Sequence, residues 1–188
     1  MEDTKELTVE VDLSLSEIQQ LLKNNGYNII KIYDINDVYL VDKNYKDLSD
    51  KLELLNHCVI LRKLENENLL IHKYKVYNDK KEIINEQSIS INIDSISKTK
   101  QFFESINYEE LIKVDDHLII YANDEEEFAL QVVNNKYIYI EIEENRKLNK
   151  KYKNLDEMKS IIIKNNIPIK NNDYFAKKAL DVLKERDD

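Results

Sequence analysis

Between residues 57 and 92 the chain holds three strand-like runs that alternate strictly, and one face of each is ionic or polar. In the first, His57 to Leu64, Ile60 and Arg62 share a side. In the second, Leu69 to Tyr77, Lys73 and Lys75 stand opposite Leu70, His72, Tyr74 and Val76. In the third, Glu82, Glu86, Ser88 and Ser90 oppose Ile89, Ile91 and Ile93. Successive side chains of a strand point to opposite faces, so these runs demand a sheet with one dry side. The ionic side is then either a solvated exterior or the lining of a water-filled barrel, and the two lead to different functions.

The rest of the chain supplies more strands and a few helices. Leu7, Val9, Val11 and Leu13 alternate with Glu6, Thr8, Glu10 and Asp12, a half-buried strand. Ser14 and Glu17 have the spacing of a capping box ahead of a helix carrying Ile18, Leu21 and Leu22, which Asn24-Asn25-Gly26 ends. Two short strands are expected at 28–33 and 37–42, an irregular or helical stretch at 43–56, and a hairpin turn at Asn78-Asp79. A second helix is expected from about Ser95 to Ile106, with Ile96, Phe102, Phe103 and Ile106 as its apolar residues. A three-stranded meander then covers 108–121, 126–133 and 136–144, turning at Ala122-Asn123-Asp124 and Asn134-Asn135. Asn154 and Glu157 mark a third helix with Met158, Ile161, Ile162 and Ile163. Pro168 breaks it, and a last helix is expected over about 173–186.

Composition narrows the function classes. The 188 residues fit a single domain, with strands and two helices to about residue 150 and C-terminal helices over 154–188. A net charge of −9 argues against duplex nucleic acid, which needs a basic footprint. No apolar run is long enough to cross a bilayer, and Met1-Glu2-Asp3-Thr4-Lys5 lacks the apolar segment of a signal peptide. The one cysteine, Cys58, reads as a packing residue inside a strand, and the protein reads as cytoplasmic. With one glycine in the chain, no Gly-rich phosphate loop can form, and the turns must rest on Asn and Asp. His57, His72 and His117 have no metal-binding spacing.

Each half of the chain reads strand, helix, then a run of antiparallel strands. Eight strands with peripheral helices make an α+β fold of the size that closes into a barrel, or tunnel, and removes its own edges. By parity one side collects Glu6, Thr8, Glu10 and Asp12, then Arg62, Lys73, Lys75 and Glu86, then Glu141 and Glu143 beside Tyr137 and Tyr139. If amphipathic helices cover the apolar side, this ionic side is interior. An interior of cations and carboxylates suits a polyanion with divalent metal, because Arg and Lys bind phosphoryl oxygens while carboxylates hold Mg²⁺ or Mn²⁺.

The order of motifs resembles the CYTH superfamily, the triphosphate tunnel metalloenzymes, and most of all its class IV adenylate cyclase-like branch. Glu6-Leu-Thr-Val-Glu10 lies where that family has an alternating Glu-x-Glu-x-Lys strand, and Asn36-Asp37-Val38-Tyr39-Leu40 is similar to its Asn-Asp-x-Tyr-Phe segment. Val59-Ile-Leu-Arg62-Lys63 and Leu70-Ile-His-Lys73 resemble the Leu-Arg-x-Arg and Leu-Thr-x-Lys pair. Leu130-Gln-Val-Val133 and Tyr139-Ile-Glu141-Ile-Glu143 resemble Leu-Asp-x-Val and Val-Glu-Ile-Glu. The resemblance implies a closed eight-stranded barrel that binds a triphosphate-containing small molecule with Mg²⁺ or Mn²⁺, and hydrolyses or cyclises it, as a monomer or homodimer. It implies Arg62, Lys73 and Lys75 as phosphate ligands, Glu6, Glu141 and Glu143 as metal ligands, and Glu10, Glu86 and Tyr139 in the lining. It singles out no catalytic residue.

The departures bear on activity. Thr8, Glu10, Ile60 and Gln131 stand where the family has Glu, Lys, Arg and Asp, and Val114-Asp115-Asp116-His117 lacks its basic residues. Extra carboxylates repel a triphosphate at about 1–4 kcal/mol per close like-charge contact at surface-like dielectric. The expectation is a retained barrel with weakened turnover; the alternative is a non-catalytic binding protein whose acidic tunnel takes a metal, a cationic ligand or a partner peptide.

Overall fold

Alternating sequence becomes alternating burial. The computed structural model describes residues 6–77, 83–144, 148, 150–174 and 176–186. Its elements are β1 (Glu6–Glu10), α1 (Leu15–Asn24), β2 (Asn28–Asp42), α2 (Lys51–Asn56), β3 (Cys58–Lys63), β4 (Asn68–Tyr77), β5 (Ile83–Asn92), α3 (Ile96–Ser105), β6 (Tyr108–Ala122), β7 (Glu127–Val133), β8 (Tyr137–Glu143), α4 (Leu155–Lys164), a 3₁₀ turn (Lys170–Asn172) and α5 (Lys178–Glu185). The strands form one eight-stranded antiparallel sheet in the order β1-β8-β7-β6-β2-β3-β4-β5. This is the expected α+β architecture. Among the described residues, none of the helices is long and apolar enough to cross a membrane.

The chain divides into two compact units, and β2 and β6 each contribute to both. One unit comprises 2–33 and 116–176, the other 34–115 and 177–188.

In the first unit, β1 pairs with β8 so that Leu7 faces Ile142 and Val9 faces Ile140. Leu130 joins them from β7. This apolar face packs beneath Ile18 and Leu22 of α1 and Met158, Ile161 and Ile162 of α4. Phe128 is fully buried and lies 4.7 Å from the ring of Tyr27. Helix α1 begins with the expected capping box: the Glu17 amide donates to the Ser14 hydroxyl and the Ser14 amide to the Glu17 carboxylate. It ends at Asn25-Gly26. Gly26 has φ +85°, a conformation that costs a side chain dearly, and the Asn25 side-chain amide donates to the backbone carbonyl of Asn165 at 2.9 Å and to its Oδ1 at 3.3 Å.

In the second unit, β3 is paired on both sides, with Tyr39 facing Ile60 and Val41 facing Cys58 from β2 and Ile60 facing Ile71 from β4. Leu40, Val41, Leu54, Cys58, Ile60, Leu61, Ile71 and Leu183 are buried in it, with Val41, Cys58, Ile60 and Ile71 on one side of the strands and Leu40 and Leu61 on the other. The Cys58 thiol donates to the Leu54 carbonyl, and burial pushes its pKa up to about 12. Asparagine does the turning that glycine does elsewhere. Asn107, Asn134, Asn135, Asn166, Asn171 and Asn172 all have positive φ, and the expected Asn134-Asn135 turn joins β7 to β8.

Several expectations are corrected. The two short strands at 28–33 and 37–42 are one continuous 15-residue strand. Over 43–56 the irregular or helical expectation holds: the chain turns and then forms α2, capped by the Asp50 carboxylate accepting from the amides of Leu52 and Glu53. The last helix is shorter than 173–186: Asp173 is extended at φ −88°, ψ 111°, Lys177 is non-helical at φ −123°, ψ 86°, and helix starts only at Lys178. Ile163 is 64% exposed and does not pack. No residue of α3 is buried, and Phe102 is 60% exposed. The Asn78-Asp79 turn and Glu82 lie outside the described residues.

Two measurements check this packing. Phe128→Ala should lower unfolding free energy in urea by about 3–5 kcal/mol, whereas Ile163→Ser should change it by less than about 0.5 kcal/mol. The Cys58 thiol should resist a thiol reagent in the native protein and react on unfolding.

Candidate functional site

The ionic face of the second unit is built by strand register. Asp37 on β2 lies directly opposite Arg62 on β3. Two charge-assisted hydrogen bonds join them, Arg62 Nε to Asp37 Oδ1 at 2.8 Å and Nη2 to Oδ2 at 2.7 Å. Asp37 is 5% exposed, so this is a buried carboxylate gripped side-on by a planar guanidinium. Farther along, Lys73 pairs in register with Ser88 and Lys75 with Glu86. The Glu86 carboxylate bridges both ammonium groups, 3.1 Å to Lys73 Nζ and 2.8 Å to Lys75 Nζ. Burial pushes the Glu86 pKa up, but the opposing pull of Lys75 and then Lys73 wins, and the group sits below the usual carboxylate range.

Two tyrosines of the same face bring in cations from the far end of the chain. The Lys177 ammonium lies 5.9 Å from the ring centre of Tyr77. Burial raises the Tyr39 hydroxyl pKa and Asp37 adds to it, while Arg62 and Lys178 oppose them. Arg62, Lys73, Lys75, Lys177 and Lys178 are therefore set against Asp37, Glu86 and the nearby Asp50. Several cations gather here in a chain whose net charge is −9. An anion is what such a face can bind.

The predicted acidic residues lie on the first unit. Glu6 faces Glu143, Thr8 faces Glu141 and Glu10 faces Tyr139, so all share the side of the sheet opposite the α1–α4 core. That side is not washed by solvent throughout: Thr8, Gln131 and Tyr139 are buried, and Tyr139 is 0% exposed. Thr8 donates to the Glu6 carboxylate at 3.2 Å, and Glu10 accepts from Lys170 at 2.6 Å. Among the described residues, no three His, Cys, Asp or Glu side chains converge on one point as an all-protein metal cage.

The sequence placed Lys73, Lys75 and Glu86 together, and they are together. It left Asp37 without a role, although Asp37 occupies the Asn-Asp-x-Tyr segment opposite Arg62 once β2 and β3 are in register. Lys177 and Lys178 were missed altogether, since nothing local ties a helix start to strands a hundred residues earlier.

Neither a protein-family model nor a curated protein sequence matches the chain. Solved structures match it in fold. A Hippeastrum candidate adenylyl cyclase with a dominant triphosphatase activity has a TM-score of 0.67 at 12% identity, over 98% of this chain and 96% of its own. The PH1819 protein of Pyrococcus horikoshii OT3 has a TM-score of 0.65 at 16% identity, over 97% and 99%. A candidate adenylate cyclase from Vibrio parahaemolyticus has a TM-score of 0.58 at 11% identity, over 95% and 97%. The CYTH resemblance is thus borne out as a likeness of fold, which by itself fixes no activity.

The two charge clusters make separable predictions. Arg62→Ala strands the buried Asp37 carboxylate and should cost about 3–5 kcal/mol in urea unfolding, with Asp37→Asn on the same background restoring part of it. Glu86 has a folded pKa below its unfolded one, so its stabilisation is present above the unfolded value and is lost as pH falls through the folded value. In acid titrations of the urea midpoint, Glu86→Gln should show a smaller loss across that window than the wild type.

Proposed function

We propose that this chain binds the phosphate chain of a nucleoside or organic triphosphate on the cationic face around Arg62, Lys73 and Lys75, and hydrolyses it slowly if a divalent cation is supplied. The observation that carries the reading is the lysine pair Lys73 and Lys75 closed on the single carboxylate of Glu86, on the same side of the sheet as Arg62 farther along it. Two ammonium groups held within reach of one carboxylate are a phosphate-sized arrangement. Among proteins of similar fold, the Hippeastrum structure has triphosphatase activity, which favours hydrolysis over cyclisation. Mg²⁺ or Mn²⁺ is the cofactor this reading calls for, arriving with the triphosphate; Glu6, Glu141 and Glu143 belong to the other unit and are given no part in holding it at this face. When bound, such an ion supplies charge neutralisation of phosphoryl oxygens and a more acidic water.

Slow turnover follows from the pairing. A phosphate entering the cluster competes with Glu86 for the lysines, so part of its binding energy replaces an interaction already present. The second reading, binding without catalysis, draws on this same observation, since preformed ion pairs hold the cations without need of substrate.

Isothermal titration with tripolyphosphate and ATP, with and without Mn²⁺, tests the proposal alongside a phosphate-release assay. Lys73→Gln with Lys75→Gln should weaken tripolyphosphate binding by about 10-fold or more, the loss of a charge-assisted contact worth about 1.5–3 kcal/mol. Glu86→Gln should tighten binding, because it removes the competitor. Absence of tripolyphosphate binding, or weaker binding in Glu86→Gln, would overturn the phosphate reading. Binding without phosphate release would favour the non-catalytic one.

A further inference from the structure

Strand β4 outlasts its neighbour. The β3–β4 register ends where Val59 faces His72, and β3 itself begins at Cys58, so beyond that point β4 has β5 as its strand partner. On the side that β3 has left, a side chain takes over. The buried Asn56, last residue of α2, donates from Nδ2 to the Lys75 carbonyl at 2.9 Å. Its Oδ1 accepts from the Lys75 amide at 3.0 Å. A carboxamide carries the donor and the acceptor of a peptide group, so these two bonds copy the hydrogen-bonded pair of an antiparallel strand. The Asn56 backbone carbonyl adds a third tie, to His72 Nε2 at 3.2 Å. A carbonyl only accepts, so that nitrogen carries the proton.

The clamp bears on where the lysines point. Lys75 turns its amide and carbonyl towards Asn56 and away from β5, so Lys75 and Glu86 form the non-hydrogen-bonded kind of pair. In that kind the Cα atoms are about 4.5 Å apart and the side chains lie closest. The Glu86 carboxylate thereby comes within 2.8 Å of Lys75 Nζ, and Lys73, one diagonal step away, reaches it at 3.1 Å. The β4–β5 ladder also shifts register between Val76 and Tyr77, one residue beyond the clamp. A slip one step earlier would turn Lys75 to the other side of the sheet. Leucine and aspartate have nearly the shape of asparagine, but leucine offers neither bond and an ionised aspartate only accepts.

We propose that Asn56 is a positioning residue for the phosphate-binding face: it stands in for the absent strand and so holds Lys75 and Lys73 on the same side as Arg62. The inference rests on the phosphate reading above. Asn56 acts through the backbone of Lys75, carrying past His72 the alignment that β4 receives from β3.

Tripolyphosphate titration, carboxylate NMR of Glu86 and amide exchange test it on Asn56→Ala. Asn56→Thr, whose hydroxyl can keep one of the two bonds, serves if the alanine variant does not fold. Asn56→Ala should weaken tripolyphosphate binding by about 3–10-fold, since both ammonium groups remain but are no longer preorganised. Its Lys75 amide should exchange about 10-fold faster or more, and its Glu86 pKa should rise towards the ordinary carboxylate range. Asn56→Thr should fall between it and the wild type. Asn154→Ala, which removes the N-cap of α4 in the other unit, should lose stability in urea yet bind tripolyphosphate as the wild type does. Unchanged binding in Asn56→Ala, or equal weakening in Asn154→Ala, would overturn the positioning role and leave the phosphate reading standing. A wild type that binds no tripolyphosphate removes the phosphate reading instead, and a Glu86 pKa unmoved in Asn56→Ala would then overturn the alignment by Asn56 on its own.

Discussion

Asp37 is almost wholly shielded from water, and its charge is tolerable there because the guanidinium of Arg62 closes on both of its oxygens. An isolated carboxylate at that depth would give up its charge or pull water inward. The pair therefore does more than add a contact. It locks the register between β2 and β3, since a slip of one residue would turn Asp37 and Arg62 to opposite sides. With that register set, Ile60 meets Tyr39, Cys58 meets Val41, and β4 inherits its alignment from β3. The direction of Lys73 and Lys75 follows from the same alignment.

The same economy of charge runs through the candidate site. An acidic chain that gathers lysines on one face needs carboxylates to hold them while no anion is present, and Glu86 is such a carboxylate. In the proposed reading a phosphate would compete with its oxygens for the lysines, so the face would trade affinity for order. On the first unit the balance is reversed. There the side of the sheet away from the helices carries Glu6, Glu141 and Glu143 around the buried Thr8, Gln131 and Tyr139.

Strands were legible in this sequence because burial on one side writes itself into every second residue. The run from Glu6 to Glu10 and the meander from Tyr108 to Glu143 needed no other clue. Asp34-Ile35-Asn36 misled, because three residues with turn-like composition lie within one continuous strand; it passes there from one unit to the other, and its neighbours change. Helix α5 was overextended because apolar spacing continues upstream, whereas the backbone is extended at Asp173 and non-helical at Lys177. Sidedness of the charged residues could be read by parity, whereas their partners could not. Arg62 could have met Glu86 by sequence alone, and register across β2 gave it Asp37 instead. The uncovered isoleucines of β5 were invisible for the opposite reason, since an apolar alternation looks the same whether or not a helix lies over it.

The turn that ends α1 carries a chemical clock. Asn25 precedes the one glycine, and an asparagine followed by glycine is the step at which a succinimide closes most readily, because no side chain hinders attack by the next amide. Here the Asn25 amide nitrogen is the donor to two oxygens of Asn165, tying the end of α1 to the end of α4. Deamidation would replace that donor with a carboxylate facing two acceptors, and attraction would become repulsion at the seam between the two helices. Stored or long-lived molecules would then loosen first at this corner, and their extra negative charge would separate them from fresh protein on an anion exchanger.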